Sequence, residues 1–355
     1  MKIGITIGDV NGVGPEVIIK ALSNEKILDA FTPIIYGSSK VMSYHKNIVK
    51  ESQIQFHHIS DPTKAVAKKV NVLNCWEDNV NITIGKLTED GGKYAKIALE
   101  RAGQDLKSDL IDGLVTAPIN KAAMKLAKFE YPGHTEYFEN LFNTQGLMLM
   151  VSDNLRIGLV TNHIPLSEVT SKITKELITK KVKVFEESLK VDFGVDRPNI
   201  AVLGLNPHAG DEGTIGEQEE KIIRPAIIEM KKSGIIVSGP YPADGFFGSG
   251  NFKKFDGVLA MYHDQGLVAL KSMTFGGGVN YTAGIKGIRT SPDHGTAYDI
   301  AGTNEADETS FRAALFLARD LVKHRSEYYD FRSNAIAKKQ RPSDNEEEDE
   351  IIEEI

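Results

Sequence analysis

The sequence predicts an α/β fold on the strength of its alternation. Short apolar runs, at Ile3–Ile7, Pro33–Tyr36, Leu110–Val115, Leu155–Thr161, Asn199–Leu205 and Asp256–Met261, read as strands. Longer amphipathic stretches fall between them, at Glu16–Leu22, Glu89–Leu106, Ser167–Leu189, Glu217–Ser233 and Ser310–Lys323, and read as helices. At 355 residues the chain is long enough for two domains, and no internal repeat of fixed period interrupts the pattern.

The first strand runs into "GDVNGVGPEV", Gly8–Val17, a glycine-rich turn that leads into a helix. A dinucleotide fingerprint needs glycines at the first, third and sixth positions. From Gly12 the sixth position is Val17, and from Gly8 the third is Val10, so the fingerprint fails. A P-loop fails too, because no Gly-Lys-Ser/Thr follows. What remains is a tight strand-to-helix turn in which Pro15 suits the first helical turn and Glu16 the positive end of the helix dipole. Further on, Asn74–Ala98 carries Gly85, Gly91 and Gly92 and reads as a loop followed by a helix start. Leu166-Ser167-Glu168 and "SKITKEL" offer capping residues at or near the helix expected over Ser167–Leu189. "GFFGSG", Gly245–Gly250, is expected to be a mobile loop.

Eight acidic residues and no basic one lie between Ser343 and Ile355, and they account for the formal charge of −7. The rest of the chain is close to neutral, which gives no electrostatic case for nucleic acid or a membrane surface. Past about Tyr329 the hydrophobic periodicity fades, so residues 329–355 are expected to be an acidic, disordered tail. Cys75 is the single cysteine, which excludes an intrachain disulfide and a cysteine zinc cluster. No signal peptide and no apolar run of membrane-spanning length is found, so a cytoplasmic protein is expected.

Several expected strands end in reactive side chains. "RIGLVTNH" ends at His163, "NIAVLGLNPH" at His208 and "DGVLAMYH" at His263, while "DLIDGLVTAPINK" runs through Thr116 to Asn120 and Lys121. Ligands of open α/β sheets bind at the carboxyl ends of strands, so these groups are expected along one edge. One histidine past a strand is most often a satisfied polar residue. Three in matching positions fit a catalytic metal site with an open fourth position. Their spacings of 45 and 55 residues form no local motif. His45, His57, His58 and His324 lack this context and read as surface or core residues.

A second constellation is cationic and polar. "YPGHTEYF" sets His134 and Thr135 in a glycine-led turn before a helix, a place for an anion if the helix N-terminus is open. Lys271, Asn280 and Arg289 lie downstream of His263 among glycines, and lysine with arginine suits a phosphate or carboxylate. The plainer alternatives are solvated surface charges and a hairpin turn at Gly276–Gly278. "DHGTAYDIAGTNEAD", Asp293–Asp307, is on its own only a loop before a helix.

That last segment resembles the adenine-side cofactor loop of the isocitrate and isopropylmalate dehydrogenases, and "GDVNGVGPEV" resembles their N-terminal segment. A narrower resemblance covers about residues 1–325. "NGVGPE", "TAPINK", "GHTEYF", "NHIPL", "GLNPHAGDEGTIGEQE", "PADGFF", "AMYHDQGLVALK" and "RTSPDHGTA" together look like the 4-hydroxythreonine-4-phosphate dehydrogenase family of vitamin B6 synthesis. The departures are "DVNG", where many members have a D/E-P-A-G turn, and the acidic tail.

The resemblance implies a two-domain α/β/α sandwich of the isocitrate/isopropylmalate dehydrogenase type, not a Rossmann fold. Its first domain would combine residues 1–130 and 295–328, and its second would span 131–294. It implies a divalent metal (Zn, Mg or Co) on His163, His208 and His263, with ligands from both subunits of a homodimer. His134, Thr135, Lys271, Asn280 and Arg289 match the substrate positions, and His294, Gly295, Thr296 and Ala297 match the NAD or NADP region. His208, Lys121 and Asp244 are the candidates for catalysis, Lys121 as a proton shuttle. Asp244 and Asp264 are candidates for neutralising a substrate ammonium, orienting a metal ligand or simply capping structure. The implied reaction is oxidation of 4-phosphohydroxy-L-threonine followed by decarboxylation. The competing readings are a dehydrogenase of a four-carbon sugar acid phosphate, a three-histidine aldolase or hydrolase, and a non-catalytic ligand sensor.

Overall fold

The structure, a computed structural model, describes residues 1–50, 52–274 and 276–333. Among these, twelve strands form one mixed sheet: β1 (Lys2–Thr6), β2 (Thr32–Gly37), β3 (Phe56–Ile59), β4 (Val70–Asn74), β5 (Gly113–Thr116), β6 (Leu147–Ser152), β7 (Leu155–Leu159), β8 (Asn199–Leu203), β9 (Ile236–Tyr241), β10 (Gly257–Ala260), β11 (Val279–Ala283) and β12 (Arg289–Pro292). The spatial order is β3-β4-β2-β1-β5-β12-β11-β6-β7-β10-β8-β9. The block from β3 to β12 is parallel throughout. So is the block β7-β10-β8-β9. Between them β11 and β6 pair antiparallel with each other and with their outer neighbours, so the two blocks run in opposite directions. This mixed order differs from the all-parallel sheet of a Rossmann domain.

Eleven α-helices cover the described sheet: α1 (Gly14–Leu22), α2 (Ser39–Lys46), α3 (Glu89–Lys107), α4 (Lys121–Leu126), α5 (His134–Phe142), α6 (Leu166–Lys172), α7 (Lys175–Val191), α8 (Arg224–Lys232), α9 (Ala243–Gly248), α10 (His263–Thr274) and α11 (Thr309–Ser333). The sheet is clothed on both faces, which shows in strand β6. Its Leu147, Leu149 and Val151 join one core with Val182 and Phe185 of α7. Its Met148 and Met150 join another with Leu267 and Leu270 of α10. Successive residues of a strand point to opposite faces, so "LMLMV" must be apolar throughout. A third core unites Ile3, Ile5, Ile34 and Ile35 with α1, α3 and the first half of α11. Leu321, farther along α11, enters the α7 core, so this one helix spans both blocks.

Three expectations need correction. The helix expected over Ser167–Leu189 is two helices, because Thr174 stands in extended backbone and accepts a hydrogen bond from the Leu177 amide, starting α7 anew. "GFFGSG" is not an open loop. Phe246 stacks on Tyr241 with ring centroids 5.2 Å apart, and Phe252 is buried with it, so α9 and a 3-10 turn form there. The stretch expected to be disordered from residue 329 starts in a helix, since α11 continues to Ser333. Residues 334–355 lie outside the described part of the chain.

Candidate active site

The N-terminal turn is a platform rather than a cradle. The Val13 amide donates to the Thr296 carbonyl at 3.0 Å, and a side chain at Gly12 would strike that carbonyl. Glu16 is fully buried and accepts from the Gly302 amide, while Lys20 Nζ donates to the carbonyls of Asn304 (2.8 Å) and Ala306 (2.7 Å). The Tyr298 hydroxyl donates to the buried carboxylate of Asp9 at 2.6 Å. Asn11, the departure from the family turn, accepts from the Thr83 amide and donates to Thr88 Oγ1. The turn therefore fastens the 293–306 loop on one side and the 83–88 loop on the other. Pro15 sits in the first helical turn of α1, where its lack of an N–H is harmless.

The loop so held brings His294 and Gly295 to a cleft of about 190 Å³. Lys121, His134, Thr135, Glu136, His163, Asn280 and Arg289 line it, with Thr116 and Ser291 from β5 and β12. Arg289 dominates it electrostatically. Its side chain is 2% exposed, and its guanidinium spends its hydrogen bonds on hydroxyls: Nε and Nη2 donate to Thr116 Oγ1, and Nη1 reaches Thr282 Oγ1 at 3.5 Å. Among the described residues it forms no ion pair, and burial pushes its pKa down to about 9. Close by, burial and the Arg289 charge hold the His134 imidazole neutral, well below the usual histidine range. His134 Nε2, Asn280 Oδ1 and His294 Nε2 are all enclosed without a partner. Buried polar groups left unmade cost about 1–3 kcal/mol each, so the cleft favours an anion bearing several hydrogen-bonding groups. A larger cavity of about 910 Å³ lies between α3, α7 and α11. None of its lining residues has an orphaned buried polar atom, so its chemistry asks for nothing.

The three histidine-bearing strand ends belong to the neighbouring strands β7, β10 and β8. They are laced together: Thr161 Oγ1 donates to the Met261 carbonyl (2.8 Å), and Gln265 accepts from the Met261 amide while donating to the Gly204 carbonyl. β5, which leads to Lys121, belongs to the opposite block, so it meets His163 across the cleft rather than along a shared edge. The rings of His163 and His263 lie 5.3 Å apart, centroid to centroid. Two imidazoles sharing one tetrahedral ion, at metal–nitrogen bonds of about 2.0–2.1 Å, place their centroids about 5 Å apart. Burial, Lys121 and His263 hold His163 neutral, the form with a free lone pair. His263 Nδ1 meets the Asp264 carboxylate at 2.8 Å, which leaves Nε2 for an ion. These two imidazoles have the spacing and the free nitrogens of two of the donors that a divalent metal would need.

His208 is placed differently. It is exposed, does not line the cleft, and stands in a run of left-handed backbone: His208, Ala209, Gly210, Asp211 and Glu212 have φ of 53°, 51°, 80°, 43° and 55°. Such a conformation costs about 1–2 kcal/mol for each non-glycine residue. Among the described residues of one copy, no three histidine, cysteine or acidic side chains converge on a metal position. Lys271 pairs with Asp293 at 3.1 Å and does not line the cleft. Asp244 is exposed on α9, beside the His208 turn. Thr296 and Ala297 sit behind the cleft, in the loop docked on the N-terminal turn. Glu136, Ser291, Gln265 and Glu219 carry no role in the sequence analysis above, although all four lie inside its quoted motifs.

The profile of the family described as "Pyridoxal phosphate biosynthetic protein PdxA" matches residues 29–318. The chain belongs to the PdxA family. It is 48% identical to the 4-hydroxythreonine-4-phosphate dehydrogenase of Bacteroides thetaiotaomicron, over 95% of this chain and 93% of that protein. The enzyme of the same name from Aquifex aeolicus is 40% identical, over 90% of this chain and 98% of that one. The crystal structure of 4-hydroxythreonine-4-phosphate dehydrogenase from Klebsiella pneumoniae superposes with a TM-score of 0.81 at 33% identity, covering 90% of this chain and 98% of that chain. The α/β architecture of this PdxA chain is thus shared with solved members of its family.

Proposed function

We propose that this chain is a nicotinamide- and metal-dependent dehydrogenase that oxidises 4-phosphohydroxy-L-threonine to 2-amino-3-oxo-4-phosphooxybutanoate, which decarboxylates to 3-amino-2-oxopropyl phosphate. Pyridoxal phosphate biosynthesis uses this step. The observation that carries the reading is the buried Arg289 guanidinium, without an ion pair among the described residues, in one cleft with His163, whose ring lies beside that of His263.

Arg289, His134 and Asn280 bind the anionic end of the substrate, and Thr135 adds the open N-terminus of α5. Lys121 faces His163 from the N-terminus of α4 and is the candidate proton shuttle for the substrate hydroxyl. His163 and His263 hold the metal, and His208 of a second copy completes the site in a homodimer. Its exposure and its absence from the cleft lining support that arrangement. When bound, the metal polarises the hydroxyl and the developing negative charge, and the nicotinamide accepts the hydride. His294, Gly295, Thr296 and Ala297 form the adenine side of the coenzyme site. Among the described residues no helix is long and apolar enough to cross a membrane, in keeping with a cytoplasmic enzyme.

The test follows reduced coenzyme formation from NAD and from NADP, with 4-phosphohydroxy-L-threonine beside erythronate 4-phosphate. Zn²⁺, Mg²⁺ and Co²⁺ are each supplied, and a chelator is added in parallel. Turnover of the amino substrate that a chelator abolishes is expected. Full activity in chelator would remove the metal, and a preference for the sugar acid would reassign the substrate.

A further inference from the structure

We propose that Glu219 is a positioning residue: its buried carboxylate locks the left-handed turn that presents His208. The inference rests on the reading of His208 as a metal ligand. Left-handed backbone sets each Cβ close to the following carbonyl, so a run containing four non-glycine residues needs an external restraint to persist. Glu219 supplies it. The side chain is fully buried, and Oε1 accepts from the amides of Leu205 (2.7 Å) and Asn206 (2.8 Å), where β8 ends and the turn begins. Oε2 accepts from Asn206 Nδ2 at 2.9 Å. Among the described residues it pairs with no cation, so N–H groups alone satisfy its charge. Gly210 lies against the same carboxylate: a Cβ there would fall 2.6 Å from Glu219 Oε2 and 2.8 Å from the Gly216 carbonyl. Glu219 itself opens a π-helical turn, Glu219–Ile223, an irregularity that aims its side chain back at β8.

A glutamine keeps the shape but offers one acceptor where two are used. Its amide would face N–H donors on one side or the other, and the turn would lose its restraint. Carboxylates that hold a metal ligand in place are worth about 10–100-fold in metal affinity.

The experiment titrates the full-length chain, freed of metal, with Co²⁺ and reads the visible absorption of the bound ion, with thermal melts to confirm folding. Wild type, His208→Ala, Glu219→Gln and the double variant are compared. Glu219→Gln is expected to weaken Co²⁺ binding about 10–100-fold and to add nothing in the His208→Ala background, because Glu219 acts through that residue. Wild-type affinity in a folded Glu219→Gln protein overturns the inference. So does an equal further loss in the double variant, which would mark a general structural role. If His208→Ala binds Co²⁺ like wild type, the ligand reading falls and takes this inference with it. Should Glu219→Gln not fold, Gly210→Ala serves instead, since its methyl group displaces the same carboxylate, and unchanged affinity there is equally fatal.

Discussion

Replacing Arg289 with methionine is expected to make the ligand-free protein more stable while destroying substrate binding. The guanidinium is buried with hydroxyls as its hydrogen-bond partners and Glu136 in the same cleft, and burial pushes its pKa down from the usual guanidinium range to about 9. At 1.36 kcal/mol for each pH unit of depression, keeping it charged at neutral pH costs about 5 kcal/mol. Methionine fills a similar volume without that cost. Thr116 and Thr282 would lose a donor, at about 1 kcal/mol apiece. A net gain of about 3 kcal/mol remains, to be read from the urea midpoint of unfolding without ligand. The bound anion offsets the same cost in the wild type, and losing two charge-assisted bonds corresponds to at least a 100-fold fall in kcat/KM. A variant that unfolds more easily, or one that retains kcat/KM, would refute the view of Arg289 as an anion receptor kept at the expense of stability.

Two further outcomes follow from buried groups near the N-terminal turn. His45 on α2 donates from Nε2 to the Val10 carbonyl (2.9 Å), is fully buried, and is pushed down to about 4 by burial. It is neutral in both folded and unfolded chains above pH 6.5. As the pH falls from 6.5 to 4 the unfolded chain gains the proton first, so about 3 kcal/mol of stability is lost over that window. Urea unfolding at several pH values should show a shallower acid dependence for His45→Gln, and parallel curves would contradict the assignment. Tyr298→Phe deletes the donor to Asp9, whose carboxyl is already raised by burial. It should raise the KM for the nicotinamide coenzyme several-fold and leave the KM for the phosphorylated substrate unchanged. A change in the second without the first would detach that loop from coenzyme binding.

The strands that could be read from the sequence are apolar because both of their faces are covered. β1, β2, β5, β7, β8 and β10 appear within a few residues of the expected runs. The unread ones include β11 "VNYTA" and β12 "RTSP", which look like polar loops yet are almost wholly buried. Their polarity belongs to function: Arg289, Ser291 and Asn280 face the cleft, and Thr290 Oγ1 bonds the Ala314 carbonyl. A rule that equates strand with apolar run must miss strands that line a site. The break at Thr174 was legible as a cap, but the helical periodicity continues across it and hides the boundary.

Local chemistry decided much in advance. A turn that fails the glycine fingerprint is not a Rossmann dinucleotide motif, and three histidines after three apolar runs mark a candidate metal site, whatever the surrounding fold. Those conclusions depend only on residue type and short-range spacing, which the sequence holds completely. The long-range pairings came from the tertiary structure alone. They set Arg289 against Thr116 across 173 residues and docked the 293–306 loop on the N-terminal turn. They also brought the His163 and His263 rings within 5.3 Å of each other and turned His208 outward on a left-handed arc. Burial, and with it the shift of each pKa and the orphaning of each donor, is a property of what packs around a group. No single segment carries that information, so it emerges only when the whole sheet closes.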